Sequence, residues 1–484
     1  MNKKQRLGLF VILAIVLTLA LGSSVFAQEE DMSWVRNQEQ WGRLPTDHEL
    51  GTMITQEEWY EILGEPPTEP LTMTLFRGGF GEEWANVIVE LMEREHPGVQ
   101  IEVTFDPSIW EVMQPRIIAG EVPDFMFYTL GAWGGDWDVG VEENLVIPGD
   151  ILLDIEGYGA YSDQRLGDLF VDGALLSANE GRTDHQWNFP QTQFTYGIFY
   201  NATMFEEHGW PRPDTLTWEE FMELQAEIAE VVAPWTYAGI YPTYYSWVTV
   251  PLMYMKAGDE TWCARENLEP GAFNDPAYLW AIEQTQQIFA NGWVYPGSDA
   301  LDHTGSQQVF VDGLAAMIPN GSWLQNEQRS TTPEGFDMRF SAVPAPSDAR
   351  GFAHAIQASL GAADMQIGNG TNPLWGMELM RMFYSPESAA FWAENIGSPL
   401  PLVGAAVDSP NPYTVSITDA IERAEGNYIF SRATDYPDVG RVFGDNFGDM
   451  LWSRISAIDY LANLERAAEE TRSNPDIVKQ TYCQ

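Results

Sequence analysis

Residues 195–230 read TYGIFYNATMFEEHGWPRPDTLTWEEFMELQAEIAE. An aromatic and β-branched run, Tyr196 to Tyr200, has the composition of a strand. It meets a turn at Asn201, then a short helix, then a loop carrying Gly209, Pro211 and Pro213. A second helix opens at Thr217 with a capping box. The Thr217 hydroxyl accepts from the Glu220 amide while the Glu220 carboxylate reaches back to the Thr217 amide.

Working outward, a βαβ unit begins at Leu71. Leu71, Met73 and Leu75 alternate with Thr72 and Thr74, the period of a strand. Trp84, Val87, Ile88, Leu91 and Met92 then share one face of a helix. His96-Pro97-Gly98 stops that helix, since proline cannot continue it and glycine tolerates a left-handed cap. Val99, Ile101, Val103 and Phe105 alternate as a second strand. One helix between two strands implies parallel pairing through a right-handed crossover. Phe447 to Ser473 reads as one amphipathic helix with Leu451, Ile455, Ile458 and Ala462 inward.

Three further segments stand out. Ala119-Gly120-Glu121-Val122-Pro123-Asp124 leads into the apolar run Phe125 to Tyr128. Residues 308–323 read QVFVDGLAAMIPNGSW, and residues 377–402 read MELMRMFYSPESAAFWAENIGSPLPL. With the 195–230 stretch, these resemble, in order, the solute-binding proteins that deliver sugars to ATP-driven importers, of the maltose-binding type.

The resemblance implies a type II periplasmic-binding-protein fold, with two α/β lobes built from discontinuous segments and joined by a hinge. On that analogy lobe 1 takes residues 71–193 and 360–425, and lobe 2 takes 194–359 and 426–484. It further implies ligand capture by closure of the hinge and delivery to membrane permease subunits, with the carrier acting as a monomer. Hinge closure in periplasmic binding proteins is a known general case.

The ends and the charge bound this expectation. Lys3, Lys4 and Arg6 precede the apolar run Leu7 to Leu21, and Val25-Phe26-Ala27 forms a small-residue cleavage site, so residues 1–27 read as a signal peptide. The run is short of the roughly 20 apolar residues of a membrane span. No cysteine follows it to carry a lipid. The mature chain is expected to be periplasmic or extracellular and soluble. Residues 28–70 form an acidic arm lying on the main body, with a second capping box at Thr55 and Glu58.

The formal net charge is −47. Loss of Lys3, Lys4 and Arg6 takes it to about −50. Only Lys256 and Lys479 then remain as lysines. Such a field repels nucleic acid and disfavours anionic ligands. It fits a salt-rich habitat, where self-repulsion is screened, or an ordinary acidic secreted protein. Cys263 and Cys483 are the only cysteines, either a disulfide in an oxidising compartment or two separate thiols.

Motifs of catalysis are missing. There is no nucleophile elbow, no P-loop lysine and no zinc-binding helix. Gly79 and Gly81 suggest a dinucleotide loop only until Trp84, which fills the third glycine position. Asp136, Asp138, Glu142 and Glu143 lack the spacing of a calcium loop. No cofactor or metal is expected.

The chain holds 19 Trp, 19 Tyr and 24 Phe, enough to supply both a core and a binding surface. Sugar rings present C–H faces that pack on aromatic plates, and Trp and Tyr add a polar handle. Open α/β sheets bind ligands beyond the carboxyl ends of their strands. Phe80 lies in the loop after the first strand, and Trp133 in the Gly-rich loop GAWGGDW. The resemblance places sugar-stacking aromatics at Tyr128 and Trp323. Tyr241 and Trp247 are further candidates, with core or hinge packing as their alternative, and Gln357 offers an amide to a hydroxyl. A carrier for another solute, such as a polyamine, and an exported glycoside hydrolase are the competing readings.

Overall fold

A computed structural model of the chain describes residues 43–44, 48–128, 138–179, 185–405, 409–424, 429, 431–475, 477, 479 and 481. Residues 1–27, read above as a signal peptide, lie outside the described residues. The strands are β1 (Leu71–Phe76), β2 (Ile101–Asp106), β3 (Phe125–Tyr128), β4 (Val146–Ile147), β5 (Phe189–Asn201), β6 (Ala233–Trp235), β7 (Ala315–Gly321), β8 (Met338–Ser341) and β9 (Gln357–Gly368). They follow one path, β2-β1-β3-β9-β5-β7-β6, with β4 added on β9 and β8 on β5. Pairing is parallel at both ends, where β1 joins β2 and β3 and where β6 joins β7. In the middle, β3–β9, β9–β5 and β5–β7 are antiparallel.

The opening βαβ unit forms as its pattern requires. The helix Glu83–Glu95 buries Trp84, Ile88, Leu91 and Met92. It stops at His96, with Gly98 at φ 102°. The decisive stretch also folds as read. The Asn201 side chain accepts from the Met204 amide to start the helix Ala202–His208, and Gly209 closes it in the left-handed region. Thr217 and Glu220 form the capping box of the helix Trp218–Ala229.

Two cores result. The first gathers Leu71, Trp84, Phe125, Phe189, Ile367, Met380 and Trp392. The second gathers Ile198, Tyr200, Trp218, Trp235, Tyr245, Phe447 and Leu464. β5 starts in the first core and ends in the second. β9 returns from beside Ala355 in the second to Met365 and Ile367 in the first. These two long antiparallel strands are the hinge of a two-lobed α/β protein.

Four expectations are corrected. The segment before β1 is more than an arm: Ile54, Trp59, Ile62 and Leu63 are buried in the first core. Asp154 ties its beginning, accepting from the Gly51 amide and pairing with His48 and Arg165 at 2.8 Å. β5 begins at Phe189, seven residues before the aromatic run, because polar Gln191 and Gln193 and the imino acid Pro190 mask its start. The helix Pro412–Ala424 sets Tyr413, Ile417 and Ala420 against Phe199, Ile318 and Phe340, so the first lobe's second segment ends before residue 425. The C-terminal helix is two, Pro437–Leu451 and Ala457–Ser473. Ser453 takes a left-handed φ of 54° and Ser456 caps a fresh start. Ile458 consequently faces solvent, while Leu461, Leu464 and Ala468 pack inward.

Cys263 is disulfide-bonded, and Cys483 lies outside the described residues. Among the described residues, no helix is long and apolar enough to cross a membrane, and no group of three or more His, Cys, Asp or Glu is arranged to hold a metal ion.

Candidate functional site

The register of β5 on β9 shifts between Thr192 and Phe194, and beyond it side chains alternate, so Phe194 and Tyr196 share one face and Thr195 takes the other. Phe194 and Tyr196 stay half-buried within a strand that is otherwise buried. They form a floor between the lobes, and rings from both sides collect on it. Phe80, from the loop after β1, stacks on Phe194 at 5.3 Å and 16°. Trp323, just after β7, stands edge-on to Phe194 and to Tyr196, each at 5.8 Å. Trp247 meets Tyr196 at 5.0 Å and Trp323 at 5.8 Å. Tyr244 lies against Trp247 at 4.3 Å, and Tyr241 follows at 6.2 Å.

Local backbone sets these positions. The Trp323 indole folds back over Gly321, where a Cβ would fall 2.4 Å from the ring, so the glycine of Asn-Gly-Ser-Trp makes room for its own tryptophan. The Ser322 carbonyl accepts from Tyr413 Oη at 3.0 Å and fixes the turn. Gly79 lies flush against lobe 2. A Cβ there would fall 2.7 Å from Trp323 Cβ and 2.9 Å from Glu327 Oε1. Asn326 Nδ2 donates to the Gly79 carbonyl at 2.7 Å, and Arg329 donates to the Asn395 carbonyl. The lobes are therefore drawn together along this seam.

Polar groups edge the rings. Gln357 pairs in register with Tyr196 and so shares its face, and its Oε1 is buried without a hydrogen-bond partner. Glu327 Oε2 accepts from His303 Nε2 at 2.6 Å and Gln307 Nε2 at 2.5 Å. His303 stands edge-on to Tyr244 at 5.4 Å. Burial pushes the Tyr244 hydroxyl up to about 12, helped by the Glu327 charge. Burial raises Tyr196 as well. Both phenols are neutral donors at ordinary pH. An arrangement of flat plates with amide, phenol and carboxylate groups at the margin suits an uncharged ligand bearing C–H faces and hydroxyls.

Of the seven sequence candidates, Tyr241, Trp247, Trp323 and Gln357 lie along these rings, whereas Phe80 is buried in the first core beneath them. Phe80 is the most enclosed, with Phe194 on one side and Trp392 on the other. Tyr128 closes β3 opposite Asp364 of β9. Trp133 lies outside the described residues. Sequence reasoning missed Phe194, Tyr196, Tyr244, His303 and Glu327. The period-2 spacing of Phe194 and Tyr196, with Gln193 before and Thr195 between, was a readable signal for the floor. A separate cavity of about 430 Å³, lined by Thr72, Glu102, Arg116, Asp124 and Asn372, sits at the amino ends of β1 and β2, away from these rings.

The chain matches the model of the bacterial extracellular solute-binding protein family over residues 78–388, well over half its length, and it belongs to that family. Its relatives include the diacetylchitobiose binding protein NgcE of Streptomyces coelicolor, 24% identical over 76% of this chain and 77% of that protein. Solved structures with the same fold include a chitin oligosaccharide binding protein (TM-score 0.63, 17% identity, 83% of this chain and 98% of that one). RafE in complex with raffinose is another (TM-score 0.60, 19% identity, 82% and 100%). These matched proteins are named as binding proteins.

Proposed function

We propose that this protein is the substrate-binding component of an ATP-driven importer, and that its cargo is a carbohydrate. The sugar is gripped between two hinged lobes and passed unaltered to permease subunits in the membrane. The observation that carries this reading is the convergence of Phe80 from one lobe, Trp247 and Trp323 from the other, and Phe194 and Tyr196 from the crossing strand. The ligands for which its relatives are named support the same class.

In this reading lobe 1 comprises residues 48–193 with 360–402, and lobe 2 the intervening segment with 410–481. Residues 1–27 direct export, and the mature protein is a soluble monomer that catalyses no reaction on its cargo. Its acidity matches a saline surrounding; melting the protein in low and in molar salt checks this, with the midpoint expected to rise.

The test of function is a titration of tryptophan fluorescence with a panel of mono- and oligosaccharides, beside spermidine as the cationic competitor. Saturable change with a sugar, and no new reducing ends after prolonged incubation, is the expected result. Binding of spermidine alone, or turnover of a glycoside, defeats the reading.

A further inference from the structure

We propose that Asn326 and Arg329 are positioning residues: together they form a clasp that holds the closed lobes and sets how long cargo stays bound. This rests on the hinged carrier read above and is independent of which cargo is carried. The clasp starts from Gly79-Phe80-Gly81, the loop after β1. Its backbone comes into contact with the other lobe. A Cβ on Gly81, which takes φ 71°, would fall 3.4 Å from Asn326 Nδ2. The loop so presents the Gly79 carbonyl, to which Asn326 Nδ2 donates at 2.7 Å. Asn326 Oδ1 accepts in turn from Arg329 Nη2 at 2.7 Å, and the same nitrogen donates to the Asn395 carbonyl. One pair of side chains on lobe 2 thus holds lobe 1 at two positions far apart in sequence.

Asn395 lies where a lobe 1 helix ends. The helix Pro386–Phe391 continues through a wider π turn, Trp392–Ile396, and closes at Gly397 with φ 84°. The last carbonyls of a helix lack partners within it and carry partial negative charge. On the hinge side the Ala393 carbonyl accepts from Ser409 Oγ and Thr414 Oγ1, each at 2.8 Å, beside the last crossing of the chain between lobes. The Asn395 carbonyl is met instead by a cation from the opposite lobe. Cations are scarce here, 24 Lys and Arg against 71 Asp and Glu. Among the described residues most arginines pair with a carboxylate. Arg329 places its charge on an amide oxygen and a helix end. It is exposed, and its one distant partner belongs to the other lobe, so the packing of its own lobe does not account for it. In so acidic a chain, a cation set between lobes offsets their repulsion. Every group of the clasp belongs to the protein, so it favours closure with or without cargo. A binding-competent state favoured in advance raises apparent affinity.

The experiment compares the wild type with Asn326→Ala, Arg329→Ala and Arg329→Lys in two measurements. Small-angle scattering of the protein without sugar reads closure alone. Both alanine variants should show a larger radius of gyration than the wild type. Arg329→Lys, whose ammonium can still donate to both oxygens, should stay close to it. Stopped-flow tryptophan fluorescence with maltose, chitobiose or xylobiose, whichever binds, reads release. Release should be about fivefold faster in each alanine variant, with association and the urea midpoint unchanged. Release at the wild-type rate in both alanine variants, or a loss matched by a fall in the urea midpoint, overturns the clasp and leaves a sugar carrier intact. If none of the three sugars binds, the carbohydrate reading fails by itself and scattering still decides the clasp: equal radii in all four proteins overturn it.

Discussion

The first lobe holds a buried charged knot in which both oxygens of Glu378 and all three nitrogens of Arg381 are matched, and the hinge a few strands away holds buried polar atoms with no match at all. In the knot, Glu378 is fully buried. Its Oε2 accepts from Trp59 Nε1 at 2.8 Å and Arg381 Nε at 2.7 Å, and its Oε1 from His96 Nε2 at 2.9 Å and Arg381 Nη2 at 2.8 Å. Arg381 also donates to the Glu156 carbonyl and the Tyr60 hydroxyl. At the hinge, both amide atoms of Gln191, Thr195 Oγ1, Asn320 Nδ2 and Gln357 Oε1 are buried without partners. A buried, unmatched polar atom costs about 1–3 kcal/mol. Fully matched groups specify one geometry. Unmatched ones are tolerated where strands must serve more than one lobe arrangement, or where a ligand completes the set.

The comparison breaks hardest at Glu378. Removing one partner of a buried pair strands the other charge, so Glu378→Ala should lose about 3–5 kcal/mol of stability in urea unfolding. The folded fraction should keep its sugar affinity. The pH dependence follows from the same knot. Burial alone would raise the Glu378 carboxyl, but the Arg381 charge, its hydrogen bonds and His96 more than reverse this and hold it at about 2. A carboxyl depressed in the folded state contributes stability above its ordinary value near 4.5. That contribution is lost as pH falls from there toward 2. Wild type should therefore weaken over this window more steeply than Glu378→Ala; parallel curves would remove the knot from the account.

Trp323→Ala attacks the other region. Truncating a central ring of a binding surface costs about 2 kcal/mol, or roughly 30-fold in affinity. Fluorescence titration should show that loss while the unfolding midpoint moves far less than in Glu378→Ala. Gly79→Ala sharpens the contrast further, because its added methyl meets Trp323 only when the lobes are together. Overpacking of about 1–3 kcal/mol then falls on the closed form alone. Affinity should drop about tenfold, and ligand-induced compaction in small-angle scattering should shrink, with unfolding in urea unchanged.

The two regions differed in how far the sequence disclosed them. The βαβ unit, the Asn201 turn and the Thr217 capping box were legible because each depends on residues within a few positions of one another. Trp323 and Trp247, which the structure sets along the ring surface, were singled out through motif and aromatic character, and Gln357 through its place near a crossing, whereas Phe80, chosen for its place after a strand, is buried in the core. The start of β5 was not legible, since Gln191 and Gln193 are buried by the β9 partner more than 160 residues away, against their own polarity. The knot was invisible for the same reason: Trp59, His96 and Glu378 meet only after three separate segments pack. The break at Ser453 was hidden by an apolar period that continues across it.

The smallest effect is the most diagnostic. Thr195 faces away from the rings, in register with Ala358 of β9, and its hydroxyl makes no hydrogen bond. Replacing it with valine keeps the shape and removes an atom that is stripped of water without compensation. Thr195→Val should therefore change unfolding stability by no more than about 0.5 kcal/mol, or raise it, unlike an ordinary loss of a buried hydroxyl. If hinge polarity serves movement, the same substitution should stiffen β5 and slow amide exchange along 192–198 in the free protein. It should leave ring contacts, and hence affinity, nearly as they were. A loss above about 1 kcal/mol would mean that Thr195 is hydrogen-bonded in solution, and the hinge would then resemble the knot it is contrasted with.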